Sequence, residues 1–247
     1  SVYLSLDSTN AYLHEQISNR PGSSCQFCFA EHQTAGRGRR GREWVSPFGK
    51  NLYFSLMRRF DAGYSALHGL SLALGVMVAD TLLGRQIPAL ALKWPNDILV
   101  DGCKLAGILV ELSGEHSGPV NVVIGVGLNL ALDDLDRQRI SQPVVALGDV
   151  APLGISRNEL AAELIVSLVR GLDDFEQFGF SGFRDRWNVL DYLQDKPVSI
   201  GGNSTVTSGI YRGVDVNGNA LVEEGGVIKV LSGGEITVRV SDAYAAI

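Results

Sequence analysis

Apolar positions along this chain recur at two periods, and the elements they predict follow from them. Residues 24–33, SCQFCFAEHQ, and 51–60, NLYFSLMRRF, are short stretches rich in β-forming side chains and predict strands. Residues 64–84, YSALHGLSLALGVMVADTLLG, have the length and apolar density of a buried helix. Residues 97–112 form two apolar runs around Asp101-Gly102, a strong signal for a two-residue hairpin. VNVVIGVGLNLAL, from Val120, predicts a central strand in which Gly125 and Gly127 mark a close backbone approach. From Ser156 to Phe178, Ser156 and Glu159 stand in capping-box spacing, and apolar residues recur at 160, 164, 165, 168, 172 and 175, which predicts an amphipathic helix.

From about Lys196 the texture changes to short strands punctuated by Gly and Asn-Gly, the pattern of a small antiparallel β-barrel. The expected fold class is α+β, with domains at 1–193 and 194–247. Repeats and low-complexity tracts are absent.

Composition narrows the function classes. The 247 residues are 45% hydrophobic and 19% charged, which suits a well-cored globular protein. A net charge of −6 argues against a general nucleic-acid coat. A local basic patch remains: seven Lys/Arg lie between His32 and Phe60, with Glu43 the single acid. Three cysteines cannot form a disulfide framework, so a reducing cytoplasm is the expected compartment. No apolar run is expected to span a membrane, and no signal peptide opens the chain.

The basic patch centres on GRGRRGREW, residues 36–44, with four arginines and three glycines. Arginine forks bind phosphate and carboxylate oxygens bidentately, and glycines let backbone N–H groups approach a ligand. The stretch reads either as an anion-binding loop or as a solvated basic turn. Gly36, Gly38 and Gly41 spell G-x-G-x-x-G, but Pro47 and Gly49 forbid the helix that a dinucleotide fold requires next. A kinase would need H-R-D and D-F-G motifs, and neither occurs. Cys25 and Cys28 read as two buried strand cysteines, because residues three apart on a strand face opposite sides. Histidines 14, 32, 68 and 116 are scattered without metal-ligand spacing, and no G-x-S-x-G elbow is present. In KWPNDILVDGCKLAGIL, Lys93, Trp94, Asn96, Asp97 and Lys104 gather around the hairpin. Lys104 reads either as a snorkelling surface lysine or as a cation aimed into a pocket.

DSTN at 7–10, the Gly/Arg loop through Leu56, KWPNDILVDGCKLAGILVEL at 93–112, VIGVGLNL at 123–130 and GGEITVRV at 233–240 together resemble the bacterial biotin–protein ligases. The resemblance spans nearly the whole chain. It implies a catalytic domain like class II aminoacyl-tRNA synthetases, with a mixed sheet and helices, and a C-terminal SH3-like barrel. It implies two-step chemistry: biotin and MgATP give biotinyl-adenylate, and a lysine of the biotin carboxyl carrier protein of acetyl-CoA carboxylase then takes the biotin.

Carried onto this sequence, Lys104 and Arg39 are the catalytic candidates. Ser8, Thr9, Asn10, Gln33, Gly36, Arg37, Gly38, Arg39, Lys104, Gly107, Gly125 and Gly127 are matched to biotin. Arg37, Arg39, Arg40, Arg42, Trp44, Asn96, Asp97 and Asn129 are matched to ATP. Asp97 would stand near the Mg²⁺, and no metal-ligand set is assigned. The resemblance admits a homodimer without fixing one, and implies no membrane and no nucleic-acid partner for this chain alone. Many relatives carry an N-terminal winged-helix DNA-binding domain, to which nothing here corresponds. Some place a tryptophan near SQPVVALGD, where this chain has Val144 and Val145. The alternatives are a lipoate–protein ligase, which shares fold and chemistry, and a biotin-sensing corepressor module without catalysis. The Arg-dense loop and C-terminal barrel favour biotin, and retention of Lys104 with the arginine set favours catalysis.

Overall fold

Two sheets carry the architecture of the computed structural model, which describes residues 1–19, 25–114, 117–151, 154–201, 206–233 and 237–240. His116 and residues 234–236 of the closing motif lie outside them. The first sheet is built from β1 (Val2–Tyr3), β2 (Cys25–Ala30), β3 (Leu52–Phe60), β4 (Leu90–Lys93), β5 (Asp97–Val100), β6 (Cys103–Gly114) and β7 (Val120–Leu128). Its strand order is β1-β2-β3-β7-β6-β5-β4. The β1–β2 pair is parallel and the others are antiparallel, so the sheet is mixed as expected. Helices α1 (Thr9–Asn19) and α2 (Leu70–Gly84) lie between these strands in sequence. After β7 come α3 (Asp134–Gln138), α4 (Leu147–Val150), α5 (Arg157–Phe178) and α6 (Arg184–Leu190).

The pleat of β7 shows how the sheet separates core from site. Val120, Val122, Ile124, Val126 and Leu128 point one way, into the large apolar core shared with α2 and α5. On the opposite face Val123 packs with Leu13 of α1, Cys28 and Met57. That face ends in Gly125 and Gly127, over which the Asn10 amide and the Trp44 indole pack directly on the strand. β3 divides likewise, with Phe54 and Leu56 in the large core and Ser55 on the other side. Period-2 alternation thus gives one face buried in the large core and a second face that packs on α1 and also carries Ser55, Gly125 and Gly127.

The Asp101-Gly102 hairpin forms as predicted, with both residues left-handed at φ 48° and 76°, the geometry of a type I′ turn. Helix α5 also forms as predicted, with the Ser156 hydroxyl accepting from the Glu159 N–H at 3.4 Å. Its buried stripe includes Leu160, Leu164, Leu168, Leu172 and Phe175, while Ile165 is only half-buried.

The expected single helix over 64–84 is two pieces, a 3-10 turn at Tyr64–Leu67 and then α2. Gly69 between them adopts φ 74°, and a Cβ there would lie 2.5 Å from Phe180 Cβ, so the chain must kink to seat that ring. The stretch Tyr64–Gly84 is also long and apolar enough, by length and composition, to pass for a membrane span, contrary to the sequence reading; 61% of its apolar window is buried inside the fold. Cys28 is buried as expected, whereas Cys25 is half-buried.

The second sheet comprises β8 (Pro197–Gly201), β9 (Val206–Val214), β10 (Ala220–Glu224), β11 (Val227–Leu231) and β12 (Thr237–Val240). Its order is β11-β10-β9-β8-β12, antiparallel throughout. It packs against the first part of the molecule. Trp94 donates its indole N–H to the Gly218 carbonyl at 3.0 Å, and Val198, Ile200, Tyr211 and Val238 join the same apolar core as α2.

Candidate active site

A cleft of about 610 Å³ opens over the glycine-lined face of the first sheet. Every site residue named from the sequence lines it except Gly36. Gly36 lies beneath the wall, because a Cβ there would stand 2.6 Å from the Trp44 carbonyl and 2.8 Å from Ser46 Oγ.

One end of the cleft has a buried polar floor. The N-terminus of α1 brings in Ser8, Thr9 and Asn10, exposed by 4% or less. Gln33 accepts the Thr9 backbone N–H at 3.0 Å through Oε1 and donates from Nε2 to Ser46 Oγ at 3.2 Å. Ser55 of β3 stands between Thr9 and Asn10, at 2.7 Å and 2.5 Å from their side-chain oxygens. Gly125 is required here, since any side chain would overlap the Asn10 amide. Such a floor offers placed hydrogen-bonding groups inside an otherwise apolar cleft, which is how a small polar ring is recognised.

The other end is cationic. In the Gly/Arg loop the Gly38 N–H donates to the Arg42 carbonyl at 2.7 Å and the Trp44 N–H to the Gly36 carbonyl at 2.9 Å, folding the loop back on itself. Arg40 and Gly41 at its tip are left-handed, at φ 60° and 69°. Arg39 reaches inward, donating to Asn96 Oδ1 at 3.4 Å and to the carbonyl of Gly233, just after β11. Burial pulls its pKa down, opposed by the nearby Asp97 carboxylate. Lys93 is held below its usual range for the same reason, burial first, with Lys104 and Arg42 adding like charge. Arg39 and Lys93, both desolvated, together with Lys104 and the exposed loop arginines make this end attract an anion.

Lys104 stands between the two ends, and a bulge puts it there. β5 and β6 pair Asp97 with Gly107, Ile98 with Ala106 and Leu99 with Lys104, which leaves Leu105 as an extra residue. In a regular strand residues 104 and 107 would face opposite sides. The bulge brings Lys104 round to the Gly107 side, its Nζ 3.2 Å from where a Gly107 Cβ would sit. Nζ pairs with Asp97 Oδ1 at 2.7 Å and lies 5.3 Å from the centre of the Trp44 ring. The cation is aimed into the pocket. Beyond the end of β7, residues 143–145 take over the edge of β6: the Lys104 N–H donates to the Pro143 carbonyl at 2.9 Å, and the Val145 N–H to the Lys104 carbonyl at 3.1 Å. Asn129 is fixed there by its own N–H on the Leu105 carbonyl at 3.0 Å.

Trp44 lies flat over Gly127, where any side chain would overlap its indole. Val144, in the segment near which some relatives place a tryptophan, lines the cleft, and so does Trp44. Sequence reasoning missed Ser55, Ser46, Arg139 and the contributions of Gly233 and Val238 from the second sheet. Arg139 holds Glu43 of the loop at 2.9 Å. Among the described residues no group of three or more His, Cys, Asp or Glu gathers as a metal site.

A family model described as the biotin/lipoate A/B protein ligase family matches residues 2–129. The bifunctional ligase/repressor BirA of Salmonella typhimurium is 44% identical over 235 residues, covering 95% of this chain and 72% of that protein. The biotin–[acetyl-CoA-carboxylase] ligase of Paracoccus denitrificans is 35% identical over 224 residues, covering 89% and 91%. Among solved structures, the biotin protein ligase from Aquifex aeolicus in complex with biotin and ATP is similar with a TM-score of 0.80 at 27% identity, over 98% of both chains.

Proposed function

The chain belongs to the biotin/lipoate A/B protein ligase family, and from that premise we infer that it is an ATP-dependent biotin–protein ligase acting on the carrier domain of acetyl-CoA carboxylase. The biotin carboxylate attacks the α-phosphorus of ATP and pyrophosphate leaves; an acceptor lysine amine then attacks the acyl carbon and AMP leaves. The observation that carries this reading is the two-ended cleft with Lys104 at its middle.

The polar floor suits the ureido ring of biotin, with Ser8, Thr9, Asn10 and Gln33 as its partners and Gly107, Gly125 and Gly127 making room. Two anions must then approach each other. Arg37, Arg39, Arg40 and Arg42 offset their repulsion, and Lys104 stabilises the charge that develops where carboxylate meets phosphate. Trp44 and Asn129 face the nucleotide. A buried reacting centre also shields the mixed anhydride from water. Mg²⁺, when bound, neutralises charge on the triphosphate. Asp97 is the carboxylate that would hold it, and so small a protein donor set would fit an ion held chiefly by phosphate and water.

A lipoate dithiolane would leave the polar floor without partners, which favours biotin. A sensor would need no cation at the reacting phosphate, which favours catalysis. Support for class II synthetase-like and SH3-like folds comes from the mixed helix-backed sheet and the separate five-stranded antiparallel one. A domain boundary at 193/194 fits, because the two sheets share no strand and β8 begins at Pro197. Three free thiols suit a reducing cytoplasm. The reaction calls for one protein partner, the acceptor domain, and needs neither a second copy nor nucleic acid. Incubation with labelled ATP and either biotin or lipoate tests the reading: pyrophosphate release with biotin alone, followed by labelling of the acceptor domain, is expected. Release with lipoate only, or none with either, would overturn it.

A further inference from the structure

A hydrogen-bonded chain leads from the polar floor to a carboxylate outside the cleft. Asn10 donates from Nδ2 to Glu111 Oε2 at 2.6 Å, and Ser55 Oγ stands 2.5 Å from Asn10 Oδ1 and 2.7 Å from Thr9 Oγ1. Thr9, Asn10 and Ser55 are exposed by 3%, 4% and 0%. Protons in so buried a row are not readily exchanged for bonds to water.

Counting protons fixes the sense of the row. A carboxylate only accepts, so the Asn10 amide must turn its nitrogen to Glu111 and its oxygen to Ser55. An amide oxygen also only accepts, so the single Ser55 hydroxyl proton goes to it. Ser55 Oγ is then left to accept, and the Thr9 hydroxyl gives its proton inward, toward Ser55 Oγ at 2.7 Å and Gln33 Oε1 at 3.2 Å. Thr9, which lines the cleft, has only lone pairs left for a ligand. Without the carboxylate the amide can turn over and Ser55 then donates to Thr9, whose own proton passes to Gln33 Oε1 at 3.2 Å, so one Thr9 lone pair is taken up within the row.

We propose that Glu111 is a positioning residue that sets this row so that the polar floor offers acceptors to the N–H groups of a ureido ring. The proposal rests on the biotin reading above. His14 stands outside the row, its Nε2 3.5 Å from Glu111 Oε2, and its hydrogen bond together with that of Asn10 holds the Glu111 carboxyl below the usual range. Glu111 does not line the cleft, and about a third of its side chain is exposed, so replacing it leaves the core intact.

The test is calorimetric binding without ATP, comparing biotin with the two cyclic carbamate analogues in which one ureido N–H is replaced by a ring oxygen. The native protein should prefer biotin to at least one analogue by tenfold or more. Glu111→Ala should weaken biotin binding by about tenfold, as for a buried donor left facing the wrong partner. It should weaken that analogue much less, so that the preference narrows. His14→Ala keeps the Asn10 bond and should keep the preference. Equal weakening of all three ligands by Glu111→Ala would mean a merely structural role and would overturn the proposal. So would native-like discrimination in Glu111→Ala, or a His14→Ala variant that reproduces its effect. A native protein that binds no biotin would instead refute the functional reading beneath it.

Discussion

Lys104 Nζ lies 2.7 Å from Asp97 Oδ1, although the two residues are not register partners across the β5–β6 hairpin. Both side chains are largely buried, exposed by 15% and 20%. The pair holds the ammonium at the junction of the polar and cationic ends while leaving it donors for an incoming oxygen. Asp97 thus orients the cation without consuming it.

Removing that cation tests its assigned role. Lys104→Ala should slow adenylate formation by about two to three powers of ten, the usual cost of losing one preorganised electrostatic donor. Rapid-quench measurement of pyrophosphate release reads the step directly. The fold should persist, because Lys93, the register partner of Asp97 on β4, remains beside the carboxylate. Near-native release from a folded variant would remove Lys104 from the chemistry.

Space is as specific as charge in this cleft. A methyl on Gly127 would overlap the Trp44 indole lying on it. Gly127→Ala should therefore push Trp44 into the cleft and raise the KM for ATP or biotin by tenfold or more, while the thermal midpoint shifts by only a few degrees. Steady-state kinetics beside a melting curve separate the two effects. Unchanged KM values would show that the indole has somewhere else to go.

Much of this site was legible in the sequence where its cause is local. Asp101-Gly102 specifies its hairpin through two left-handed residues, and Gly125 and Gly127 announce a close approach because nothing larger fits a strand at that point. The bulge at Leu105 was not legible: it arises from the pairing of β5 with β6 and alone decides which way Lys104 points. Ser55 was invisible for a similar reason. A serine in NLYFSLMRRF carries no motif, and its role appears only when α1 is laid across β3. The Gly69 break was written as a glycine, but its reason, the Phe180 ring, comes from more than a hundred residues away.

Asp191 supplies a test of stability against pH. Burial pushes its carboxyl up to about 6, although it accepts from the Leu193 N–H at 3.0 Å and the Trp187 indole N–H at 3.2 Å. A carboxyl whose folded pKa is raised binds its proton more tightly when folded. Its stabilising contribution is complete below the unfolded pKa near 4 and is lost as pH rises through about 6. Asp191→Asn carries no titration, so its stability relative to the native protein should rise between pH 4 and 7, by on the order of 2 kcal/mol. Urea midpoints at several pH values give the difference directly. A difference that is flat with pH would show that Asp191 titrates at an ordinary value.

Arg39 is the arginine of the loop that reaches farthest inward, to Asn96 at the start of β5 and to the Gly233 carbonyl of the second sheet. Those contacts place its guanidinium across the cleft at the cationic end, where the phosphate of a biotinyl-adenylate would lie. A mixed anhydride held loosely escapes and acylates lysines at random, so retention is what makes the second step specific. A charge-assisted hydrogen bond to the phosphate contributes roughly 1.5–3 kcal/mol, equivalent to about tenfold to a hundredfold in escape rate. Arg39→Gly removes that bond from a loop already rich in glycine and closed by its own backbone hydrogen bonds, so folding should change little. Given biotin and ATP, the variant should label a bystander such as serum albumin far more than the native protein does, with adenylate recoverable from solution. If it forms adenylate yet still labels only the acceptor domain, the intermediate is held by other groups, and the neighbouring Arg37, Arg40 and Arg42 become the residues to change next.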